Sequence, residues 1–329
     1  MADESKSVEE KNIYAIATDP VYIGTGGYTI GRVDNTIVRD PSTRIPKIPG
    51  SSIAGTWRYY MTLKMLDEAK DKKWLGFDAG GINCAGQDKD PNGDMGSSSG
   101  HCGKCLVCKS FGYSKGNKDS SQGLLYFSDM NVLFFPVYTR LGVRWITSPE
   151  ILKMAGLGVK DNKTMLDDLD RDKILTHNRK EDTLNLGWLN LEVNKKGFDN
   201  TFDKIIKNIG NNFEEEYFPL KKLVIVPDEL ISRIINSNLE VRTSVSIDPV
   251  TGASKEGALF TSEAIPRGTV FFSNVRVFDR TRLGTGAPEP NIILKALEDS
   301  KIFYETLGIG GMTTRGFGRI KILTKLSTK

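Results

Sequence analysis

Histidine is scarce in this chain. There are two, His101 and His177, and neither lies beside a glycine loop. That excludes chemistry built on a histidine pair passing protons. No run of about 18 apolar residues occurs, so no membrane-crossing helix is expected. The opening MADESKSVEE is polar and acidic, without the apolar centre of a secretion signal. Residues 1–10 therefore read as a disordered leader, and the compartment as the cytoplasm. No Gly-Lys-Ser/Thr ending completes a nucleotide-phosphate loop, and no serine elbow is visible. Neither charge sign dominates: the formal net charge is +4 and the pI about 8.7. That balance permits a nucleic-acid partner without requiring one.

What is present concentrates in residues 24–58. Gly24, Gly26, Gly27 and Gly31 form a loop whose backbone can approach a ligand closely, since glycine has no Cβ. Asp34 follows, flanked by Val33 and Asn35 rather than by other acids. Pro46, Pro49 and Gly50 break the chain, and Ser51 and Ser52 stand where an N-cap belongs, ahead of a helix from Ile53 to about Leu66. A helix start offers unpaired N–H groups to a phosphate, with Lys47 and Arg58 adding full charge. A second glycine-rich loop, LGIGGMTTRGFGR, closes the chain. It follows a helix and precedes a strand, the reverse of a dinucleotide-binding loop. Its Gly310, Gly311, Thr313, Thr314 and Arg315 suit a phosphodiester backbone.

The four cysteines, Cys84, Cys102, Cys105 and Cys108, all fall in one glycine- and serine-rich segment. Two overlapping C-x2-C spacings let neighbouring thiolates reach one ion, and in a reducing compartment such clustering favours metal over disulfides. The expected ion is zinc, structural rather than catalytic, with Cys84 or His101 as the fourth ligand. The acidic run Asp167, Asp168, Asp170 and Asp172 is broken by Arg171 and Lys173 and reads as a solvated helix face.

In order, the pattern predicts a strand over 12–23, the helix after Pro49, one or two buried strands over 123–137 and a helical region over 148–183. A single strand over 184–193, a helix over 202–213, a strand over 223–226 and a helix from Asp228 follow. Residues 239–247 and 257–264 flank the turn Asp248-Pro249-Val250-Thr251-Gly252 as a long hairpin. Val241, Thr243 and Val245 share one face of it; Arg242, Ser244 and Ser246 share the other. An alternating strand over 268–278, a helix over 291–307 and a last strand over 320–323 complete the chain. The fold class is α+β, with an antiparallel sheet and helices on one face; a ferredoxin-like, RRM-like sheet is the best candidate. Residues 11–329 form one domain with three insertions: a cysteine-rich loop (76–122), a helical or lid region (145–220) and the hairpin (239–264).

The run VYIGTGGYTIGRVDNTIVRDPSTRIPKIPGSSIAGTWR resembles the opening of RAMP-superfamily proteins from type III CRISPR effector complexes. CKSFG, GLLYFSDMNVLFFPV, KEGALFTSEAIPRGTVFF and GGMTTRGFGRI fit in the same order, so the resemblance runs from Ile13 to Leu323. Val33-Asp34-Asn35 with PGSSIAG points to the repeated backbone subunit, more of the Cmr (III-B) than the Csm (III-A) kind. The resemblance implies a palm with a β-hairpin thumb, copies polymerised along a crRNA, and other type III subunits as further partners. It implies cleavage of target RNA at regular intervals, with Asp34 as the catalytic residue and Mg or another divalent ion in support. A purely crRNA-binding scaffold is the alternative. The expected RNA contacts are Gly26, Gly27, Lys47, Ser51, Ser52, Arg58, Arg242, Gly310, Gly311, Thr313, Thr314 and Arg315.

Overall fold

The computed structural model describes residues 7–26, 33–86, 100–115, 119–157, 173–177, 180–195, 207, 220–283 and 286–327. Gly27, the acidic run at 167–172 and all but Lys207 of the expected helix over 202–213 lie outside them. The opening strand β1 (Val8–Ala17) begins inside what reads as the leader. Val8 to Ile16 pair antiparallel with β16 (Val270–Phe278), and Ala15 to Ala17 with β17 (Ile320–Ile322). The first and last strands are thus side by side.

Between them come β2 (Lys47–Ile48), the small hairpins β3 (Lys73–Trp74) with β4 (Phe77–Asp78) and β5 (Gly112–Ser114) with β6 (Ser120–Gln122), and β7 (Leu125–Phe127). β8 (Met130–Thr139), β9 (Gly142–Thr147), β10 (Lys173–Thr176), β11 (Thr183–Leu186), β12 (Leu189–Val193) and β13 (Leu223–Ile225) follow. The sheet runs β11-β12-β10-β13-β9-β8-β16-β1-β17, with β2 on β8 and β7 on β16. Most neighbours are antiparallel, but β13 runs parallel to β9 and β10 to β12, so the expected all-antiparallel sheet is a mixed one.

The helices are α1 (Gly50–Glu68), α2 (Leu106–Phe111), α3 (Pro149–Met154), α4 (Asp228–Ser237), α5 (Pro290–Ser300) and α6 (Ile302–Thr306). Helix α1 packs its Ile53, Trp57, Met61 and Met65 inward, all nearly or fully buried. Trp57 stacks on Phe127 at 5.5 Å and donates its indole N–H to the Leu297 carbonyl (3.3 Å) and the Ser300 hydroxyl (3.2 Å) of α5. A buried indole that finds acceptors loses little on leaving water, so α1 and α5 share one apolar layer.

Two further expectations differ from the fold. Residues 184–193 are two strands folded back on each other, Leu184 opposite Leu191, with the turn at Gly187-Trp188. A two-residue turn inside one apolar run leaves the alternation unchanged, so periodicity alone cannot show it. Lys173–Thr176 is a strand, inside a stretch whose pattern is helical. The long hairpin is present as β14 (Glu240–Ile247) and β15 (Ser254–Ala264), paired Glu240 to Ala264 through Val245 to Leu259. It forms its own two-stranded sheet, and Val241, Val245, Ile247, Val250 and Leu259 are exposed along it.

Candidate RNA-facing carboxylate and metal centre

Asp34 is exposed and fastened to the hairpin. The Thr261 amide and hydroxyl both donate to its Oδ2, at 2.8 and 2.9 Å. The Asp34 amide in turn donates to the Thr261 hydroxyl at 3.1 Å. The hydrogen bond from the Thr261 amide, then that from its hydroxyl, hold the Asp34 carboxyl below the ordinary carboxylate value. Next along the chain, the Asn35 amide donates to the Thr261 carbonyl (3.0 Å) and the Glu263 amide to the Asn35 carbonyl (3.0 Å). The segment after the first glycine loop therefore runs parallel to β15 as an added edge, meeting it at Asn35 and Ser262.

An ion pair anchors that edge from behind. Arg39 meets the Glu263 carboxylate at 2.6 Å, both side chains largely buried. The Arg39 guanidinium also donates to the Asn236 side chain (2.8 Å) and the Ile37 carbonyl (3.0 Å). Removing one partner strands a buried charge. Arg39→Ala is expected to cost about 3 kcal/mol of stability in urea unfolding, with Glu263→Gln in the same chain recovering part of it.

Several residues expected at RNA are committed within the protein. Lys47 sits between Asp129 (2.7 Å) and Asp40 (3.2 Å), and Asp129 first and Asp40 after it raise the Lys47 pKa. Helix α1 starts at Gly50 with Pro49 as its N-cap residue, so Ser51 and Ser52 lie inside the first turn and cap nothing. The cap comes from another element: Asp129 accepts from the Gly50 amide at 2.8 Å. A carboxylate thus already occupies the helix start where a phosphate was expected. Arg58 donates to the Cys84 carbonyl at 2.8 Å and reaches His101 Nε2 at 3.2 Å, which makes it a brace of the cysteine segment. Arg242 pairs with Glu240 at 2.5 Å, donates to the Gly316 carbonyl at 3.2 Å and lies 4.5 Å from the centre of the Phe317 ring. It pins the hairpin to the closing glycine loop.

That loop packs tightly. At Gly310, with φ +87°, a Cβ would lie 2.2 Å from the Tyr22 carbonyl oxygen, and the Gly311 amide donates to that oxygen at 3.0 Å. Gly310 is demanded by the close approach of the first loop's backbone. Thr313, Thr314 and Arg315 form a single turn on top of it, with Thr314 and Arg315 exposed. Gly26 lies in the described part of the first loop, exposed and at φ +80°.

The cysteines converge. The Sγ atoms of Cys84, Cys102, Cys105 and Cys108 all lie within 4.8 Å of one another, and Cys102 and Cys108 are 4.0 Å apart. Four thiolates around one zinc at about 2.3 Å would stand about 3.8 Å apart. The Cys105 amide donates to the Cys102 sulfur (3.2 Å) and the Cys108 amide to the Cys105 sulfur (3.4 Å). Such N–H donors favour thiolates. Crowding divides the protons: hydrogen bonds from Cys105 and Cys108 drive Cys102 far down, and donation to Cys102 drives Cys105 far up. Of the two candidate fourth ligands the geometry supplies Cys84; His101 Nε2 is turned to Arg58 and the Gly86 carbonyl. The segment is also less isolated than its composition implies. Cys84, Cys105, Leu106, Val107 and Cys108 are fully buried and belong to the main apolar cluster.

Gly80 closes this cradle. A Cβ there would sit 2.6 Å from the Cys84 sulfur and 3.0 Å from that of Cys105, a clash with atoms that have nowhere to go. Gly80→Ala is expected to lower metal affinity at least tenfold, read by competition with a chromogenic chelator. Among the described residues, sequence reasoning missed Thr261, Asp129, Glu263 and Gly80. Each acts through a neighbour far away in the chain or through backbone space, and neither leaves a local signal.

The family model for the RAMP superfamily matches residues 15–321, and the chain belongs to that superfamily. Its similarity to the CRISPR system Cmr endoribonuclease Cmr4 of Pyrococcus furiosus is 26% identity over 317 residues, 93% of this chain and 92% of the relative. A shorter match, 36% over 92 residues, joins it to the Cms endoribonuclease Csm3 of Methanothermobacter thermautotrophicus, covering 28% and 27% of the two chains. Among solved structures, oligomeric Cmr4 from Pyrococcus furiosus superposes with a TM-score of 0.58 at 19% identity, over 97% of this chain and 99% of that one. A chain of the type III-B Cmr-beta bound to cognate target RNA gives a TM-score of 0.60 at 17% identity, over 95% of this chain and 96% of that one. These two likenesses show a shared fold.

Proposed function

We propose that this chain is a backbone subunit of a type III CRISPR ribonucleoprotein. Copies line a crRNA beside the other subunits of the complex, and each cuts the paired target RNA at a regular interval. The observation that carries the reading is the exposed Asp34 carboxylate, fixed to the strand of a projecting hairpin in a chain similar along its length to a Cmr endoribonuclease. In this reading the sheet is a ferredoxin-like palm and the hairpin its thumb. The thumb wedges between bases and splays a nucleotide, leaving its 2′-OH in line with the scissile phosphate. Geometry of that kind supplies a large part of a rate. The compartment is the cytoplasm; among the described residues no helix is long and apolar enough to cross a membrane.

Asp34 works here as a fixed negative charge rather than as a proton acceptor. A general base is best tuned near the working pH, and the Thr261 hydrogen bonds move Asp34 the other way. A hydrated Mg2+ or similar divalent ion, held at Asp34, would supply charge stabilisation at the phosphate. Because the Thr261 hydrogen bonds hold the Asp34 carboxyl below the ordinary carboxylate value, the pH profile of cutting by the native particle should show no acid limb from a carboxylate between pH 5 and 8. The four cysteines hold a structural zinc: four thiolates would complete its tetrahedral shell and leave no ligand position for substrate.

The test is purification of the assembled particle. A co-bound small RNA of repeat-derived sequence, and products from a complementary RNA spaced at a constant interval, support the reading. A guide-bearing particle that binds complementary RNA without cutting it reduces the chain to a crRNA-binding scaffold.

A further inference from the structure

A second surface carries nucleic-acid chemistry that the reading above leaves unused. Trp188 is 86% exposed and Tyr138 74% exposed, large values for rings that gain by burial. Hydrogen bonds bring their backbones together. The Gly187 amide donates to the Tyr138 carbonyl at 3.4 Å, and the Arg140 amide to the Asn185 side chain at 2.8 Å. The turn between β11 and β12 thus rests on the end of β8.

That corner is the root of the hairpin. A Cβ on Gly187 would lie 2.6 Å from Asn238 Oδ1, two residues before β14 begins. On the other side, the Trp145 indole donates to the Gly268 carbonyl at 2.8 Å, where the chain has just left β15. Asp34 borders the β15 edge of the hairpin and Trp188 the β14 side.

The same corner is basic. Arg140 is exposed and shared with Glu181 at 2.7 Å. The Arg144 guanidinium is folded onto the β8–β9 turn through the Leu141 (2.9 Å) and Val143 (3.1 Å) carbonyls. Arg267 stands exposed in the turn after β15. Protein–protein interfaces carry arginine with their aromatics, but their buried centres are otherwise poor in charge. Aromatic faces ringed by cations are what single-stranded nucleic acid requires: the rings stack bases and the cations hold phosphates.

We propose that Trp188 and Tyr138, with Arg140 and Arg267 beside them, form a stacking platform for unpaired RNA at the root of the hairpin. The inference deepens the proposed function and rests on it for the identity of the strand, the target RNA beside the cut. Stacking is indifferent to base identity, so the platform adds affinity without sequence preference.

The test uses the guide-loaded particle carrying Asp34→Ala, so that a labelled complementary RNA is bound and not consumed. Trp188→Ala and Trp188→Leu are each expected to weaken binding roughly tenfold, and Trp188→Phe to retain most of it. Retention by leucine with loss by alanine would mean an apolar protein contact and overturn the platform. So would unchanged affinity in all three, or a changed copy number in the particle. A second measurement stands apart from the nuclease reading. In the chain purified without guide, an unpaired oligoribonucleotide should quench tryptophan emission, and Trp188→Phe should remove that part of the quenching. Quenching that persists in Trp188→Phe overturns the platform; a particle with native Asp34 that binds but never cuts overturns the nuclease reading alone.

Discussion

Replacing Asp34 with alanine should leave the particle assembled, guide-loaded and able to bind target, while cutting falls by about a hundredfold or more. The carboxylate is exposed, and among the described residues its bonds are to Thr261, so little stability is lost with it. The other ties between this segment and β15, the Asn35 backbone to Thr261 and Glu263, the Asn35 side chain to Ser262 and Arg39 to Glu263, are untouched. The loss is therefore one of charge at a fixed point rather than of the loop's position. Thr261→Val separates the two contributions. It removes the hydroxyl and keeps the amide donor, so the carboxylate stays ionised but less rigidly aimed, and cutting should fall by about tenfold or less. Product spacing on a denaturing gel and target affinity in a filter assay read both variants. Native cutting by Asp34→Ala would remove the nuclease assignment.

Losing one thiolate should have the other large effect. Cys105→Ser is expected to reduce bound zinc from one per chain to none by elemental mass spectrometry, and to open the segment around 80–115 to proteolysis. Four sulfurs packed within 4.8 Å without an ion face mutual crowding of anions and shared protons. Cys105 and Cys108 are at the same time fully buried against the main core. A metal held there would stabilise part of the chief apolar layer, to which α1 is tied by the Gly80 amide donating to the Met65 sulfur at 3.4 Å. The melting temperature of the intact chain should drop by about 5 °C or more, and a strong chelator should reproduce the drop. His101→Ala, by contrast, should keep the zinc. A metal-free chain with unaltered melting and proteolysis would count against a structural ion.

The long hairpin was legible in the sequence. Its strands alternate, and Asp248-Pro249-Val250-Thr251-Gly252 is turn chemistry; the structure turns there, with the Gly252 amide donating to Asp248 at 2.9 Å. The convergence of the cysteines was legible because C-x2-C spacing is itself a geometric statement. The choice of Cys84 over His101 was not, since it depends on Arg58 crossing to the same place. Lys47 and Arg58 look like phosphate contacts in sequence because charge is visible there and partners are not. Asp129 and the Cys84 carbonyl claim them only in three dimensions. Ser51 and Ser52 look like caps for the same reason. The turn inside residues 184–193 was hidden by an apolar alternation that continues straight through it.

The partners of Asp34 lie 227 residues further along the chain. On the ribosome, then, the segment at 33–39 emerges long before the strand that will hold it, and β1 waits as long for β16 and β17. Synthesis must run nearly to its end before the carboxylate is locked in place. A chain interrupted between Asp34 and Thr261 carries the acid but not its clamp.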